Sequence, residues 1–264
     1  MSFNGDGSLP ISYSFDLLRD GLEIVMGKCR TELDCRKALV DVLKKMRGQD
    51  LWNQGFNWNE DLELKIWDGE DYGRKRIVVN NDGMITELRL NDLNLCGEMA
   101  QSVGCLTTLT KLFMSNNKIS KVAESIKQLQ SLTELDLYNN QLTELPQSVG
   151  YLSSLTKLYI FNNSIKELPD SIRHLKALTE LDISNNLLSI IPSSIQYLTN
   201  LSMLDISKNN VDTIPLEVTF MPSLSRLYIF ENPIVSSDRK TETLAQLQFS
   251  GLQVVVDPKC LTIL

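Results

Sequence analysis

The sequence predicts an α/β solenoid: a curved parallel sheet of about seven strands, with a helical N-terminal cap and a short C-terminal cap. Three observations predict it: a motif that recurs every 23 residues, apolar residues at fixed positions of that motif, and an asparagine at one further position. Regular units begin at Leu109, Leu132, Leu155, Leu178 and Leu201. A longer, looser unit begins at Ile85 and a truncated one at Leu224, which gives about seven repeats.

The apolar positions explain why the units must stack. Counted from the first leucine of a unit, positions 1, 4, 6 and 11 are apolar and are mostly leucine or isoleucine. One unit by itself cannot bury all of these side chains. Stacked units can, and each buried side chain then contributes roughly 1.5–3 kcal/mol.

Position 9 of the repeat carries the asparagine. Six units have it: Asn117, Asn140, Asn163, Asn186, Asn209 and Asn232. A buried amide is costly unless it is hydrogen-bonded. We therefore interpret these asparagines as structural residues and not as catalytic ones.

The pattern L-x-x-L-x-L-x-x-N-x-L at this period resembles the leucine-rich repeat family over residues 85–234. Four prolines share one repeat position and resemble the L-P-x-x-I variant of that family: Pro146, Pro169, Pro192 and Pro215. The resemblance implies that the strands line a concave face. It also implies that the asparagine side chains bond backbone groups at the bend after each strand.

Residues 1–84 are predicted to form the N-terminal cap, with a first helix over about residues 15–27. Thr31 and Asp34 resemble a capping box, and apolar residues then follow at helical spacing. These are Cys35, Ala38, Leu39, Val42, Leu43 and Met46. The stretch RIVVNNDGMITELRL predicts a hairpin that turns at residues 81–83.

Residues 34–99 resemble the N-terminal cap of plant and protist leucine-rich repeat proteins. The matching features are Asp34, Trp52, Trp58, Trp67, GMITELRL and LCGEM. The paired cysteines of that cap are missing here, which agrees with a reducing compartment. At the other end, residues 235–264 are predicted to form the C-terminal cap, with a helix over 238–248 and a last strand at LQVVV.

Composition excludes several functional classes. The net charge of −7 disfavours nucleic acid, which needs a clustered basic surface. No apolar run is long enough to span a membrane, and no secretory signal is recognisable. Five cysteines without a C-x-x-C pair, together with one histidine, predict reduced thiols, no metal and no cofactor.

We therefore expect a cytoplasmic protein, or one that reaches a host cytosol by a non-classical route. We also expect a monomer.

Positions 3, 5 and 7 of each unit are predicted to point out from the concave face, because side chains alternate along a strand. Position 5 carries Arg89, Phe113, Asp136, Tyr159, Asp182, Asp205 and Tyr228. Position 7 carries Asn91, Ser115, Tyr138, Phe161, Ser184, Ser207 and Phe230. Neighbouring strands lie about 4.8 Å apart, so we expect Phe113, Tyr138, Tyr159 and Phe161 to form one cluster.

These rows favour a binding surface over plain strand stabilisation, which is the alternative. Asp182 and Asp205 would receive a basic residue or a cation, although a solvated acidic strip would have the same sequence. The predicted partner-binding residues are Phe113, Asp136, Tyr138, Tyr159, Phe161, Asp182, Asp205, Tyr228 and Phe230.

The function predicted from the residues and the resemblance is a non-catalytic protein–protein interaction module that binds a partner on its concave face, and we expect a bacterial effector acting on a host protein. The alternative is a cytosolic scaffold or adaptor of a signalling or ubiquitin-ligase complex that recruits through residues 1–30. Catalysis is disfavoured because no cysteine is followed by x-Asp, and no G-x-S-x-G, P-loop or H-E-x-x-H motif occurs.

Overall fold

The computed structural model describes residues 37–39, 41–42, 45, 70–71, 74–236, 247 and 252–257. Seven short strands repeat along the described chain. They are β4 (Ile85–Arg89), β6 (Lys111–Phe113), β8 (Glu134–Asp136), β9 (Lys157–Tyr159), β10 (Glu180–Asp182), β11 (Met203–Asp205) and β12 (Arg226–Tyr228). These seven strands pair in parallel and in register, repeat position on repeat position. The predicted sheet of seven repeat strands is confirmed.

Two further strands, β3 (Ile77–Val79) and β13 (Gln253–Val255), extend the sheet to nine strands. The order across the sheet is β13-β12-β11-β10-β9-β8-β6-β4-β3. At one end β3 (Ile77–Val79) pairs with β4 antiparallel, and Gly83 in the connecting turn has φ 75°. At the other end β13 (Gln253–Val255) pairs with β12 in parallel. Both the predicted hairpin and the predicted last strand are therefore present.

Two small sheets lie outside this main sheet. β1 (Glu70–Asp71) pairs antiparallel with β2 (Arg74–Lys75), and β5 (Cys96–Glu98) pairs in parallel with β7 (Lys118–Lys121).

The return segment of each repeat is a short 3-10 helix. The six are Gln101–Cys105, Glu124–Gln128, Gln147–Tyr151, Asp170–His174, Ser193–Tyr197 and Leu216–Phe220. Pro146, Pro169, Pro192 and Pro215 each directly precede one, with φ between −62° and −70°, which is the value that the proline ring imposes. No helix among the described residues is long and apolar enough to cross a membrane.

The core is one continuous column of apolar side chains between the strands and the 3-10 helices. Leu132, Leu135, Leu137 and Leu142, at positions 1, 4, 6 and 11 of one repeat, are all fully buried. The corresponding side chains of the neighbouring repeats lie in the same column, so each repeat completes the core of the next.

The asparagine at position 9 holds the bend that follows each strand. The Asn140 amide donates to the carbonyl oxygens of Met114, Leu137 and Tyr138 at 3.0, 3.1 and 3.3 Å. Its side-chain oxygen accepts from the backbone N–H of Ile119 at 2.9 Å. The other five asparagines of this position make equivalent bonds, so the predicted ladder is confirmed.

In the caps, residues 37–39, 41–42 and 45 are helical, and Ala38, Leu39 and Val42 are buried. Leu247 is helical and buried, and a short helix not foreseen from the sequence spans Pro233–Ser236. The expected capping box, the helix over about 15–27 and most of the helix over 238–248 lie outside the described residues. The boundaries 1–84, 85–234 and 235–264 stay a prediction.

Replacing Asn186 by alanine should destabilise the solenoid by about 2–4 kcal/mol, because three carbonyl groups and the N–H of Ile165 lose their buried partner. The measurement is the midpoint of urea unfolding followed by circular dichroism. Ser189→Ala, at an exposed position of the same repeat, is the matched control and should leave the midpoint unchanged. Equal midpoints for both variants would refute the role of the ladder.

Candidate functional site

The site lies on the sheet face that carries positions 3, 5 and 7, which we call the concave face. The strand register aligns each position into a row. Along position 5, Arg89 neighbours Phe113, which neighbours Asp136, and Tyr159, Asp182, Asp205 and Tyr228 follow in order. The predicted order of side chains along the face is therefore present in the structure.

Phe113 is largely covered by the preceding repeat. Its side chain is only 8% exposed, and the guanidinium of Arg89 lies 4.1 Å from the centre of its ring. Arg89 also forms an ion pair with Glu87, which fixes the guanidinium over the ring. Phe113 therefore offers less surface than the other aromatic residues of the face, and its contact with a partner stays a prediction.

Tyr138 and Phe161 form a stacked pair. Their ring centres are 4.5 Å apart and their planes differ by 4°, and both side chains are half-buried. They occupy position 7 of adjacent repeats, so the strand spacing itself brings the rings to stacking distance. The expected four-ring cluster is replaced by this pair, with Phe113 held under Arg89 and Tyr159 bonded elsewhere.

Tyr159 belongs to a polar network. Its hydroxyl donates to Oε2 of Glu180 at 2.5 Å, and Nζ of Lys157 lies 3.0 Å from Oε1 of the same carboxylate. Burial and the neighbouring carboxylate raise the pKa of Tyr159. Burial also raises the pKa of Glu180, but the hydrogen bonds from Tyr159 and Lys157 outweigh it and leave the pKa below its usual value.

The charges at position 3 cancel one another across strands. Lys111 pairs with Glu134 at 3.6 Å, and Lys157 pairs with Glu180 at 3.0 Å. Both pairs join adjacent repeats and are partly exposed, so each contributes little stability. Their consequence for the site is electrostatic: these four charges leave almost no net charge on the row.

The carboxylates at position 5 are not cancelled in this way. Among the described residues Asp136, Asp182 and Asp205 form no ion pair, and their hydrogen bonds come from the chain two residues further on. Asp182 accepts from the N–H and the hydroxyl of Ser184 at 3.0 and 2.7 Å. Asp205 accepts from the N–H of Ser207 at 2.9 Å, and Asp136 accepts from the N–H of Tyr138 at 3.2 Å.

Burial shifts the acidity of all three carboxyl groups. It raises the pKa of Asp136 and that of Asp205 to about 6, and it raises the pKa of Asp182 as well. The neighbouring charge of Asp182 adds to the shift at Asp205. All three carboxylates are half-buried, and the binding of a basic partner residue at Asp182 and Asp205 stays a prediction beside the acidic strip.

Tyr228 and Phe230 end the two rows. Both are half-buried, and they stand on and after β12 as Tyr159 and Phe161 stand on and after β9. The two equivalent stretches LYIFNN and LYIFEN therefore bracket the serine and aspartate positions of β10 and β11.

Sequence reasoning missed two features. The first is the contact between the Arg89 guanidinium and the Phe113 ring. Both residues occupy position 5 of adjacent repeats, and this shared position is the signal in the sequence that would have indicated the contact. The second feature is a set of exposed aromatic residues at position 20, on the side away from the concave face: Tyr151, Tyr197 and Phe220. Their recurrence at one repeat position is visible in the sequence.

A stack of parallel strands and 3-10 helices with an open sheet face is a repeat solenoid, and such solenoids serve as protein–protein interaction modules. The family model described as a leucine-rich repeat region matches residues 84–186, and a second model, Leucine Rich Repeat, matches residues 177–198. Residues 84–198 of the chain are therefore leucine-rich repeats. Regions of this kind are generally non-catalytic binding modules.

Solved structures agree with this assignment. A leucine-rich repeat protein of Leptospira interrogans is 30% identical with a TM-score of 0.57, over 65% of this chain and 42% of that one. The plant peptide hormone receptor RGFR1, solved in complex with RGF2, is 25% identical with a TM-score of 0.54, over 69% of this chain and 36% of that one. An internalin of Listeria monocytogenes, 23% identical with a TM-score of 0.54 over 66% of this chain and 48% of that one, shares the fold.

The chain spans less than half the length of each of these three proteins. No curated protein sequence matches it.

Asp205→Asn should stabilise the protein at neutral pH. A carboxyl group whose folded pKa is about 6 and whose ordinary value is 3.8 contributes stability below the lower value and loses it as the pH rises through the higher one. Asparagine keeps an acceptor for Ser207 without the charge. We expect a gain of about 1–2 kcal/mol at pH 7, after allowing for solvent screening, and no gain near pH 4.

Thermal unfolding of parent and variant across this pH range checks the expectation. The control is Asp212→Asn, which removes the same charge at an exposed position outside the face. A gain that is the same at both pH values would contradict the assignment of the shifted pKa to Asp205.

Phe113→Ala should destabilise the protein by about 3–5 kcal/mol, because a nearly buried ring and its contact with Arg89 are lost. Phe161→Ala should cost clearly less, since that ring is half-buried. Chemical unfolding of the two variants gives the comparison. If both lose the same stability, Phe113 is no more a core residue than Phe161.

Proposed function

We propose that the protein binds a partner protein on its concave face and performs no catalysis there. The observation that carries the proposal is the uneven balance of charge on the face. The row at position 3 neutralises itself through Lys111–Glu134 and Lys157–Glu180, whereas the carboxylates at position 5 form no direct ion pair with a described residue.

Energetics support the same proposal. Half-buried carboxylates with a raised pKa lower the stability of the free protein at neutral pH. A partner that brings positive charge to the face would remove this cost in the complex and add interactions that the free protein lacks.

The aromatic residues would supply the apolar part of the contact. Tyr138 and Phe161 stand as a rigid stack, which can be covered by a partner at a small loss of side-chain entropy. Tyr159, Tyr228 and Phe230 extend this surface on either side of the aspartates. The plant receptor that shares 25% identity was solved with a peptide hormone, which supports a peptide-like segment as the kind of ligand.

For the biological setting we propose a bacterial effector that acts on a host protein in the cytoplasm. The leucine-rich repeat protein of Leptospira interrogans that is 30% identical supports a bacterial source, and the effector role is the further step of the proposal. The alternative setting is a scaffold or adaptor that recruits through residues 1–30. This alternative predicts a second partner protein whose binding is lost when residues 1–30 are deleted.

Affinity capture from a eukaryotic cell lysate tests the proposal. The double variant Tyr138→Ala/Phe161→Ala should lose its partner, because it removes the stacked pair from the concave face. The control Tyr151→Ala/Tyr197→Ala removes two exposed aromatic residues from the opposite side and should retain the partner. Phe113 stays unchanged in both, so that its structural role does not confuse the result.

Thermal unfolding must first show that both variants are folded. A partner that is lost only with the control would place the binding surface on the opposite side and overturn the proposal. Capture in parallel with a chain that lacks residues 1–30 tests the adaptor alternative.

A further inference from the structure

The side of the solenoid away from the concave face contains an open depression of about 640 Å³. Residues of the 3-10 helices Gln147–Tyr151 and Asp170–His174 line it, together with Gln130 and Ser153 from the turns after two of the helices. Its volume falls within the range of about 300–1,000 Å³ that sites for small molecules occupy.

A glycine opens this depression. Position 19 of the repeat carries Lys127 and Arg173 in the two neighbouring repeats, but Gly150 in this one. A Cβ atom on Gly150 would lie 2.4 Å from the carbonyl oxygen of Ser171, so the two helices approach too closely here for any side chain. The packing of the helices therefore requires the glycine, and the glycine leaves the depression uncovered at this position.

Tyr151 supplies an exposed aromatic ring. The residue is 62% exposed, and no ring or cation of a described residue lies against it. At Tyr197, which occupies the same repeat position, Nζ of Lys176 from the preceding repeat lies 5.1 Å from the ring centre. The corresponding residue for Tyr151 is Gln130, whose side chain donates instead to the carbonyl oxygen of Lys127 at 3.3 Å. The Tyr151 ring is thus free to receive a flat apolar surface.

The amide of Gln147 is held in one orientation. Its Oε1 accepts from the backbone N–H of Ser171 at 3.2 Å, as Oε1 of Gln101 accepts from the N–H of Ser125 at 3.1 Å two repeats earlier. Because the oxygen is used in this way, the nitrogen Nε2 keeps both of its hydrogens for another partner. Gln147 therefore offers a donor at a fixed point of the depression.

Asp170 and Arg173 bring charges of opposite sign to the depression, and the two charges sum to zero. Both residues are exposed, and neither forms an ion pair with any residue that the structure describes. Nε of Arg173 donates to Nε2 of His174 at 3.4 Å, which orients the guanidinium. The terminal N–H groups of Arg173 and the carboxylate oxygens of Asp170 make no hydrogen bond within the described part of the chain, so they are available to a ligand.

This set of groups discriminates between classes of ligand. An anion would be attracted by Arg173 and repelled by Asp170, and a cation would experience the reverse, so neither charge is favoured. Hydroxyl groups both donate and accept, so a neutral compound with several hydroxyl groups can use a carboxylate, an amide and a guanidinium together. Planar groups of this kind bond two adjacent polar atoms at once, and an aromatic ring packs against C–H groups. A sugar ring presents both kinds of surface.

We propose that the depression around Gly150 binds a neutral sugar residue, with the C–H face of its ring on Tyr151. The sugar hydroxyl groups bond to Asp170, Arg173 and Gln147. This site is separate from the concave face, and it does not rest on the partner proposed there.

Saturation-transfer NMR of the intact chain tests the proposal, with the methyl glycosides of glucose, galactose, mannose and N-acetylglucosamine as probes. We expect at least one of these neutral sugars to receive saturation, and titration then gives its affinity. Tyr151→Ala should weaken this binding about 10-fold or more, because the packing on the ring is lost. Tyr151→Phe keeps the ring and should retain most of the affinity.

The matched control is Tyr197→Ala, which removes an exposed tyrosine from the same repeat position outside the depression and should leave the affinity unchanged. Asp170→Ala should weaken binding as Tyr151→Ala does, since it removes the acceptor of the sugar hydroxyl groups. All of these side chains are exposed, and thermal unfolding at the parent's temperature confirms that each variant is folded.

Several results would overturn the site. Saturation of none of the four glycosides is one, and binding that Tyr151→Ala leaves unchanged is another. Tighter binding of N-acetylneuraminic acid or of glucosamine, which carry a charge, would contradict a neutral ligand. If Tyr138→Ala/Phe161→Ala loses the sugar and Tyr151→Ala keeps it, the sugar binds on the concave face. None of the failures at Tyr151 affects the partner proposed for the concave face, whose side chains these variants leave unchanged.

Discussion

The buried hydrogen bonds of the asparagine at position 9 are the constraint on which the structure depends. Each amide group joins the carbonyl oxygens at the bend of its own repeat to a carbonyl of the preceding repeat, as Asn209 does with Ile206, Ser207 and Ile183. The residue before each ladder asparagine adopts a positive φ, as Asn185 does at 51°. Every strand therefore ends at the same point with the same change of direction, and this keeps the strands in register.

Register is what makes a surface out of separate residues. Because repeat position aligns with repeat position, side chains that are 23 residues apart in sequence become neighbours on one face. At position 3 the alternation of lysine and glutamate becomes a set of ion pairs. At position 5 the same alignment brings Asp182 beside Asp205, which raises the electrostatic energy of the free protein. The same strand register thus produces a row with paired charges at position 3 and a row with neighbouring carboxylates at position 5.

The row at position 5 differs from the rest of the fold, in which the side chains stabilise the structure. The core is aliphatic and the bends are hydrogen-bonded. Residues that lower the stability of an otherwise well-packed protein tend to occur at its functional sites. The carboxylates at positions 136, 182 and 205 are of this kind. The exposed aromatic residues at position 20, such as Tyr197, lie on the opposite side.

The sequence by itself determined the period, the seven repeat strands, the apolar column, the asparagine ladder and the order of side chains on the concave face, because each of these follows from a repeat of fixed length. Only the tertiary structure decided how exposed each of those side chains is. Phe113, at position 5, lies under Arg89, whereas Phe161, at position 7, stacks on Tyr138, because each contact depends on which side chain the preceding repeat supplies. The acidity of Asp136 and Asp205 was decided in the same way, because burial and neighbouring charge come from packing between repeats.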